Sequence, residues 1–237
     1  MPLMRLDKLI SECGLASRKE IRQLVKSGRV TVDGAAAAAP EQKLDPEINV
    51  VCIDGEQVCY RKFHYYMLNK PAGVLSATDD GKQKTVLDLV SPEMRRMGLF
   101  PVGRLDKDTT GLLLLTDDGE FAHKVISPKS GIFKVYHAIT DGRADEVDVA
   151  AFAEGVVLGD GTKCLPAKLE IRPDGSCLVK VMEGKYHQVK RMLASRGKPV
   201  LRLKRLSIGG LELDNSLKEG EFRALSDDEL CRVLNKK

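Results

Sequence analysis

The residues best placed to do chemistry lie in Pro101–Glu120, PVGRLDKDTTGLLLLTDDGE. Arg104, Asp106 and Asp108 alternate there just ahead of four consecutive leucines. A carboxylate beside a cation can act as a nucleophile or proton acceptor if it stays ionised and is held in place. Three readings of the loop compete. Arg104 and Asp106 can form a structural pair that closes a turn. Asp106, Asp108, Thr110, Gly111 and Asp117 fall near the ligand spacing of a calcium loop, although the leucines and the lack of flanking helical patterns oppose it. The third reading makes Asp106 a catalytic carboxylate. A second acidic residue, Glu183, would complete a two-carboxylate pair of the kind that cleaves glycosides.

Such groups need rigid support. Leu112–Leu115 is a short apolar run bounded by glycines, which suits a strand buried on both faces. Lys134 and Tyr136 lie in Ile132–Thr140, which also reads as a strand. A tyrosine there is ordinarily packing. Val189, Met192 and Leu193 mark the buried face of a helix that carries Lys190, Arg191 and Arg196 outward. Residues 199–206, PVLRLKRL, alternate apolar and basic like a half-buried strand. Strands are further expected at 64–68, 167–171 and 176–182, and near the C-terminus. Short helices are expected at 85–90, 120–126, within 144–160 and from Ser226.

At the N-terminus, Leu6, Leu9, Ile10 and Cys13 share a helical face. Ser17 and Glu20 form a capping box, each side chain satisfying the other's free backbone N–H. Ile21, Leu24 and Val25 continue as a second helix with Arg18, Lys19, Arg22 and Lys26 outside. Arg29–Val32 reads as a strand and Asp33-Gly34 as a tight turn. A strand is expected to return through Ala35–Ala39.

The 237 residues suffice for one large or two unequal domains. Net charge is only +4, but residues 180–206 hold nine Lys or Arg against the single Glu183. Residues 1–34 hold seven against four acids, while 35–59 hold one against five. Two basic patches split by an acidic connector suggest a polyanionic partner held at two places. The six cysteines form no C-x-x-C and no His-adjacent metal spacing, which fits reduced thiols. No apolar run approaches membrane-spanning length, so a soluble, cytoplasmic protein is expected.

G-R-L-D-x-x-T-x-G-L-L-L-L-T-x-D-G resembles the signature of RNA pseudouridine synthases of the ribosomal small-subunit type. Asp106 falls on that family's essential aspartate. Asn69–Val74 (N-K-P-x-G-V), Lys134–Tyr136 (K-x-Y) and Glu183–Met192 (E-G-K-Y-H-Q-V-K-R-M) resemble its other motifs in the same order. The resemblance implies that Tyr136 stacks on the target base and that Lys190 pairs with Asp106, with Arg104 as a second counter-charge. It implies substrate contacts for Lys70, Lys134, Leu203, His187 and Arg191. No metal or nucleophile pattern surrounds His187, which favours contact over general-base work.

R-L-D-K at Arg5, S-R-K-E at Ser17 and G-R-V-T-V-D-G at Gly28 resemble the S4 RNA-binding module. Its RNA-facing residues would be Arg5, Lys8, Arg18, Lys19, Arg22, Lys26 and Arg29. The implied fold class is α+β: a small S4-like domain over 1–58, a linker over 59–63, and a mainly antiparallel mixed-sheet catalytic domain over 64–237. The implied reaction is conversion of uridine to pseudouridine without cofactor or metal. The implied substrate is 16S ribosomal RNA, naked or in a small-subunit assembly intermediate, acted on by a monomer. Synthases of large-subunit (23S) RNA share the architecture. A non-catalytic RNA-binding assembly factor would share the basic patches, but has no need for Asp106, Tyr136 and Lys190 together.

Overall fold

The computed structural model describes residues 3–58, 60 and 62–235. Within the expected linker, Cys59 and Arg61 lie outside the described residues. The chain divides into two compact units: Met1–His64 with Val90–Leu99, and Tyr65–Leu89 with Phe100–Lys237. The segment Val90–Leu99, which carries the short helix α3 (Pro92–Arg96), therefore clusters with the N-terminal unit, although the chain on both sides of it belongs to the other.

In the first unit, α1 (Leu6–Glu12) follows the two-residue strand β1 (Met4–Arg5) and buries Leu6, Leu9 and Ile10. Helix α2 (Arg18–Lys26) starts at the expected capping box. Ser17 Oγ accepts from the Glu20 N–H, and the Ser17 N–H donates 2.7 Å to Glu20 Oε2. Strands β2 (Val30–Val32) and β3 (Ala35–Ala36) form a hairpin through Asp33-Gly34. Strand β4 (Lys43–Leu44) pairs with β1, while β5 (Val51–Ile53) and β6 (Glu56–Gln57) complete a sheet ordered β3-β2-β5-β6. The alanine run is strand for two residues only. At Ala38 the backbone N–H is taken by the Gln42 side chain instead of a neighbouring strand.

The second unit is built on a nine-stranded sheet. Its strands are β7 (Tyr65–Lys70), β8 (Phe100–Pro101), β9 (Thr110–Thr116), β10 (Lys134–Thr140), β11 (Lys168–Ile171), β12 (Cys177–Val181), β13 (Val200–Ile208), β14 (Leu211–Glu212) and β15 (Phe222–Ala224). The main path runs β11-β12-β10-β13-β9-β7-β15, with β14 on β13 and β8 on β9. Pairing is antiparallel except between β9 and β13, where Thr110 and Gly111 lie beside Lys204 and Arg205. The α+β class with a mixed, mostly antiparallel sheet therefore holds.

Leu112–Leu115 sit in β9 at 1% exposure or less, so both faces of this strand are covered. Leu112 and Leu114 pack with Val125, Ile208 and Val233. A second core gathers Phe152, Val179, Met192 and Leu203 around β10, β12 and the helices α5 (Glu146–Glu154) and α6 (Gln188–Ala194). Helix α4 (Gly119–Ile126) is capped by Asp118, which accepts from the N–H of Glu120 and Phe121 at 3.0 Å each. The C-terminal helix (Asp227–Val233) starts from a Ser226–Glu229 capping box. The segment at 85–90 is a 3-10 turn, Val86–Leu89, and β13 runs on through Ser207 and Ile208 before turning at Gly209-Gly210. Among the described residues, five cysteines are free thiols and no helix is long and apolar enough to cross a membrane.

Candidate active site

Asp106 sits in the loop that leads into β9, and three local features fix that loop. Ser76 Oγ donates to the Leu105 carbonyl (3.0 Å) and accepts from the Leu105 N–H (3.1 Å). The Gly73 N–H donates 2.8 Å to the Lys107 carbonyl. Beneath the loop, Lys70 is fully buried and its ammonium donates to the carbonyls of Pro71 (3.0 Å), Asp106 (3.2 Å), Lys107 (3.3 Å) and Thr109 (3.0 Å). Burial pushes this amine down to about 8, against the partial support of Asp108 and Asp106.

Gly111 then brings β9 against β13. Its φ is +98°, and a Cβ there would stand 2.2 Å from the Arg205 carbonyl oxygen, so only glycine permits the approach.

Two side chains at the start of α6 reach the Asp106 carboxylate. From α6, Lys190 Nζ lies 3.1 Å from Oδ2 and also 2.5 Å from Asp108 Oδ1. Desolvation opposes the charged ammonium, but the bonds to Asp108 and Asp106 outweigh it and raise its pKa. Asp108 is correspondingly lowered, chiefly by its bond to Lys190. His187 Nε2 is 3.5 Å from Oδ1. His187 takes up left-handed backbone angles (φ 48°, ψ 35°) where the chain turns into α6, a conformation costly for a residue with a Cβ. Gln188 secures this turn: its side-chain carbonyl accepts from the Lys185 N–H, and its amide donates 2.8 Å to buried Glu183.

A small cavity of about 60 Å³ opens beside Asp106, walled by Tyr136, Val181, His187, Val189 and Leu203. An adjoining space of about 600 Å³ shares Arg104, Tyr136, Glu183 and Gly184 with it and adds Ser76, Lys134 and Arg205. Tyr136 thus borders both. Arg205 is 4% exposed; its Nε donates 2.7 Å to the Leu112 carbonyl and its Nη1 reaches the Tyr136 hydroxyl at 3.4 Å. Its Nη2 is buried with no partner among the described residues.

Asp106, Tyr136, Lys190, Leu203 and His187 come together as one constellation. Four expectations change. Arg104 is exposed and makes no ion pair among the described residues; Lys190 and His187 are the groups that meet Asp106. Lys70 is no substrate contact, because its ammonium is used up on loop carbonyls below the site. Lys134 is also buried; its Nζ donates to the carbonyls of Val125 (2.9 Å) and Ile132 (3.0 Å), and burial followed by the nearby Arg205 pushes it down to about 8. Arg191 is turned to Asp160, 2.5 Å away.

Glu183 is equally committed, accepting from Lys185, Gln188 and the Leu165 N–H, which removes it as a free glycosidase partner. The calcium reading fails on charge, since the Lys190 ammonium occupies the place between Asp106 and Asp108 where a cation would sit.

In the first unit, Arg5 is held by Asp7 and Glu41, Lys8 by Glu12 and Arg29 by Asp54. Arg18, Lys19, Arg22 and Lys26 stand exposed along α2 with no ion-pair partner among the described residues. They form a row of available cations on one helix.

Comparison with known proteins adds to this geometry. A family model described as RNA pseudouridylate synthase matches residues 64–195, and one described as S4 domain matches residues 4–47. An "Uncharacterized RNA pseudouridine synthase YtzG" of Bacillus subtilis (strain 168) is 46% identical over 236 residues, 98% of this chain and 98% of that protein. A "Ribosomal small subunit pseudouridine synthase A" of Vibrio cholerae is 40% identical over 231 residues, 97% of this chain and 99% of its own. A crystal structure described as a pseudouridylate synthase shares 36% identity, with a TM-score of 0.69 over 97% of this chain and 99% of that one.

Proposed function

Because the chain belongs to the RNA pseudouridylate synthase family and carries an S4 domain, we propose that it isomerises one uridine of small-subunit ribosomal RNA, with Asp106 as its catalytic carboxylate and no cofactor. The observation that carries the catalytic assignment is the Lys190 ammonium 3.1 Å from Asp106 Oδ2, at a cavity walled by Tyr136 and Leu203. The relatives named for the ribosomal small subunit, similar over nearly their whole length, favour that RNA.

The isomerisation breaks the N1–C1′ bond, turns the uracil, and joins C5 to C1′. One proton leaves C5 and one arrives at N1, so there is no net oxidation and no group is lost. Asp106 serves this either by adding covalently to the sugar or base, or by taking the C2′ proton to give a glycal; both need a fixed, ionised carboxylate. Lys190 supplies the counter-charge and Lys70 holds the loop in place from below. Tyr136 offers a ring to the extruded base and a hydroxyl for proton transfer. Extrusion from folded RNA costs a few kcal/mol, which phosphate contacts from α2 and from the 180–206 segment offset.

The test is pseudouridine mapping in ribosomal RNA transcripts and in a protein-bound small-subunit particle, with unaltered protein and Asp106→Asn. Product at one uridine with unaltered protein alone is expected. Product from both removes Asp106 from its role. Modification confined to large-subunit RNA overturns the substrate, and tight binding without product points to an assembly factor.

A further inference from the structure

We infer that Tyr186, stacked on His187, is a platform for the nucleobase adjacent to the extruded uridine. This deepens the synthase reading and rests on it. The chain has five tyrosines and no tryptophan. The other four tyrosines are partly buried, whereas Tyr186 is 77% exposed. Its ring lies nearly parallel to the His187 imidazole, with centroids 3.9 Å apart and planes at 17°. One face is therefore covered by His187 and the other is open to solvent.

The stack is firmly mounted. His187 holds left-handed backbone angles at the start of α6, and Arg191 Nη1 reaches back to the Tyr186 carbonyl at 3.5 Å. It is also next to the chemistry, since the same His187 lines the Asp106 cavity and sits 3.5 Å from the carboxylate. Tyr186 is one ring further out along this line.

A uridine extruded towards Asp106 leaves its neighbours with an unstacked face, at a cost of a few kcal/mol. An open aromatic face just outside the cavity restores that stacking. The surrounding 180–206 segment, rich in cations, suits the phosphates on either side. Every base has a π-face, so the platform places the strand without reading the neighbour's identity.

The test measures equilibrium binding and pseudouridine formation on the same small-subunit ribosomal RNA transcript for Tyr186→Phe, Tyr186→Leu and Tyr186→Ala. Alanine is expected to weaken binding by roughly 5- to 160-fold, the range of base–aromatic stacking. Leucine falls between alanine and phenylalanine, which retains the ring. The slope of affinity against salt stays that of the unaltered protein, because no phosphate contact is lost. Melting temperature serves as the folding control for this exposed side chain.

Pseudouridine formation with equal affinity for alanine and unaltered protein overturns the platform and leaves the synthase reading intact. A loss that comes with a shallower salt slope also overturns it, by assigning the effect to charge. The ranked affinities without any pseudouridine overturn the synthase reading and leave a stacking surface. No RNA binding by the unaltered protein overturns both.

Discussion

Replacing Lys70 with methionine isolates what holds the Asp106 loop. The side chain is fully buried and its ammonium donates to four carbonyls, three of them in the Asp106–Thr109 turn. Methionine keeps most of the shape and removes the donor. Two acceptors keep another donor, since the Asp106 carbonyl also takes the Thr109 N–H and the Lys107 carbonyl takes the Gly73 N–H. The loss then falls mainly on two carbonyls, at about 1–3 kcal/mol each. Against this, the buried amine is lowered from 10.5 to about 8, so methionine relieves a net cost of about 3 kcal/mol for holding the charge at neutral pH.

These terms nearly cancel, so the expected change in stability is small, within about 3 kcal/mol, or roughly 10 °C in melting temperature for a chain of this size. Activity should not be spared. A loop freed to move by 1 Å carries the carboxylate out of alignment, which reduces turnover by about 100-fold. Single-turnover pseudouridine formation at saturating enzyme, read beside a thermal melt, separates the two effects. Turnover within threefold of the unaltered protein would refute the argument, because the loop would then be held without the ammonium.

Other substitutions probe the remaining supports. Gly111→Ala sets a Cβ 2.2 Å from the Arg205 carbonyl at a φ of +98°; a loss of roughly 2–5 kcal/mol is expected in urea unfolding, from strain and overpacking together. Changing Arg18, Lys19, Arg22 and Lys26 to glutamine should flatten the plot of log affinity against log salt by about 3, with little change in melting temperature; an unchanged slope would remove α2 from the RNA interface. Lys70 and Lys134 both have folded pKa values near 8 instead of 10.5. Between those values the unfolded chain binds more protons, so their contribution to stability rises with pH from about 8 to 10.5, by at most about 1.4 kcal/mol per unit each. Comparing urea midpoints over that range for the unaltered protein and Lys134→Met should show a smaller rise in the variant.

Much of this was legible in the chain. The capping box at Ser17, the Asp33-Gly34 hairpin and the doubly buried Leu112–Leu115 strand are local signals, set by a few neighbouring residues, and they appear where expected. The convergence of Asp106, Tyr136 and Lys190 was legible through motif resemblance, not through spacing. What the chain concealed was the use of its cations. Lys70, Lys134 and Arg191 look like Arg104 in sequence, yet three are committed to carbonyls or a carboxylate, while Arg104 makes no ion pair among the described residues. Those partners are far along the chain or are backbone atoms, which carry no sequence label. Arg205 had a readable clue: it breaks the alternation of residues 199–206 and shares the parity of Leu203 and Ser207, the buried side of β13.

The parallel contact between β9 and β13 also has a consequence for biosynthesis. Gly111 leaves the ribosome more than ninety residues before Arg205, its partner in the sheet. At about 5–20 residues per second, the Thr110–Gly111 end of β9 waits several seconds with one strand edge unpaired. Such an edge is a site for wrong association, and contacts between distant segments slow folding. Asp106 likewise precedes Lys190 and the wall made by Leu203. A chain stalled before β13 would carry the aspartate but no pocket, so competence to modify RNA arrives late in synthesis. Ribosomes arrested after residue 180 should therefore present inactive, protease-sensitive chains, and those released beyond the C-terminal helix active ones.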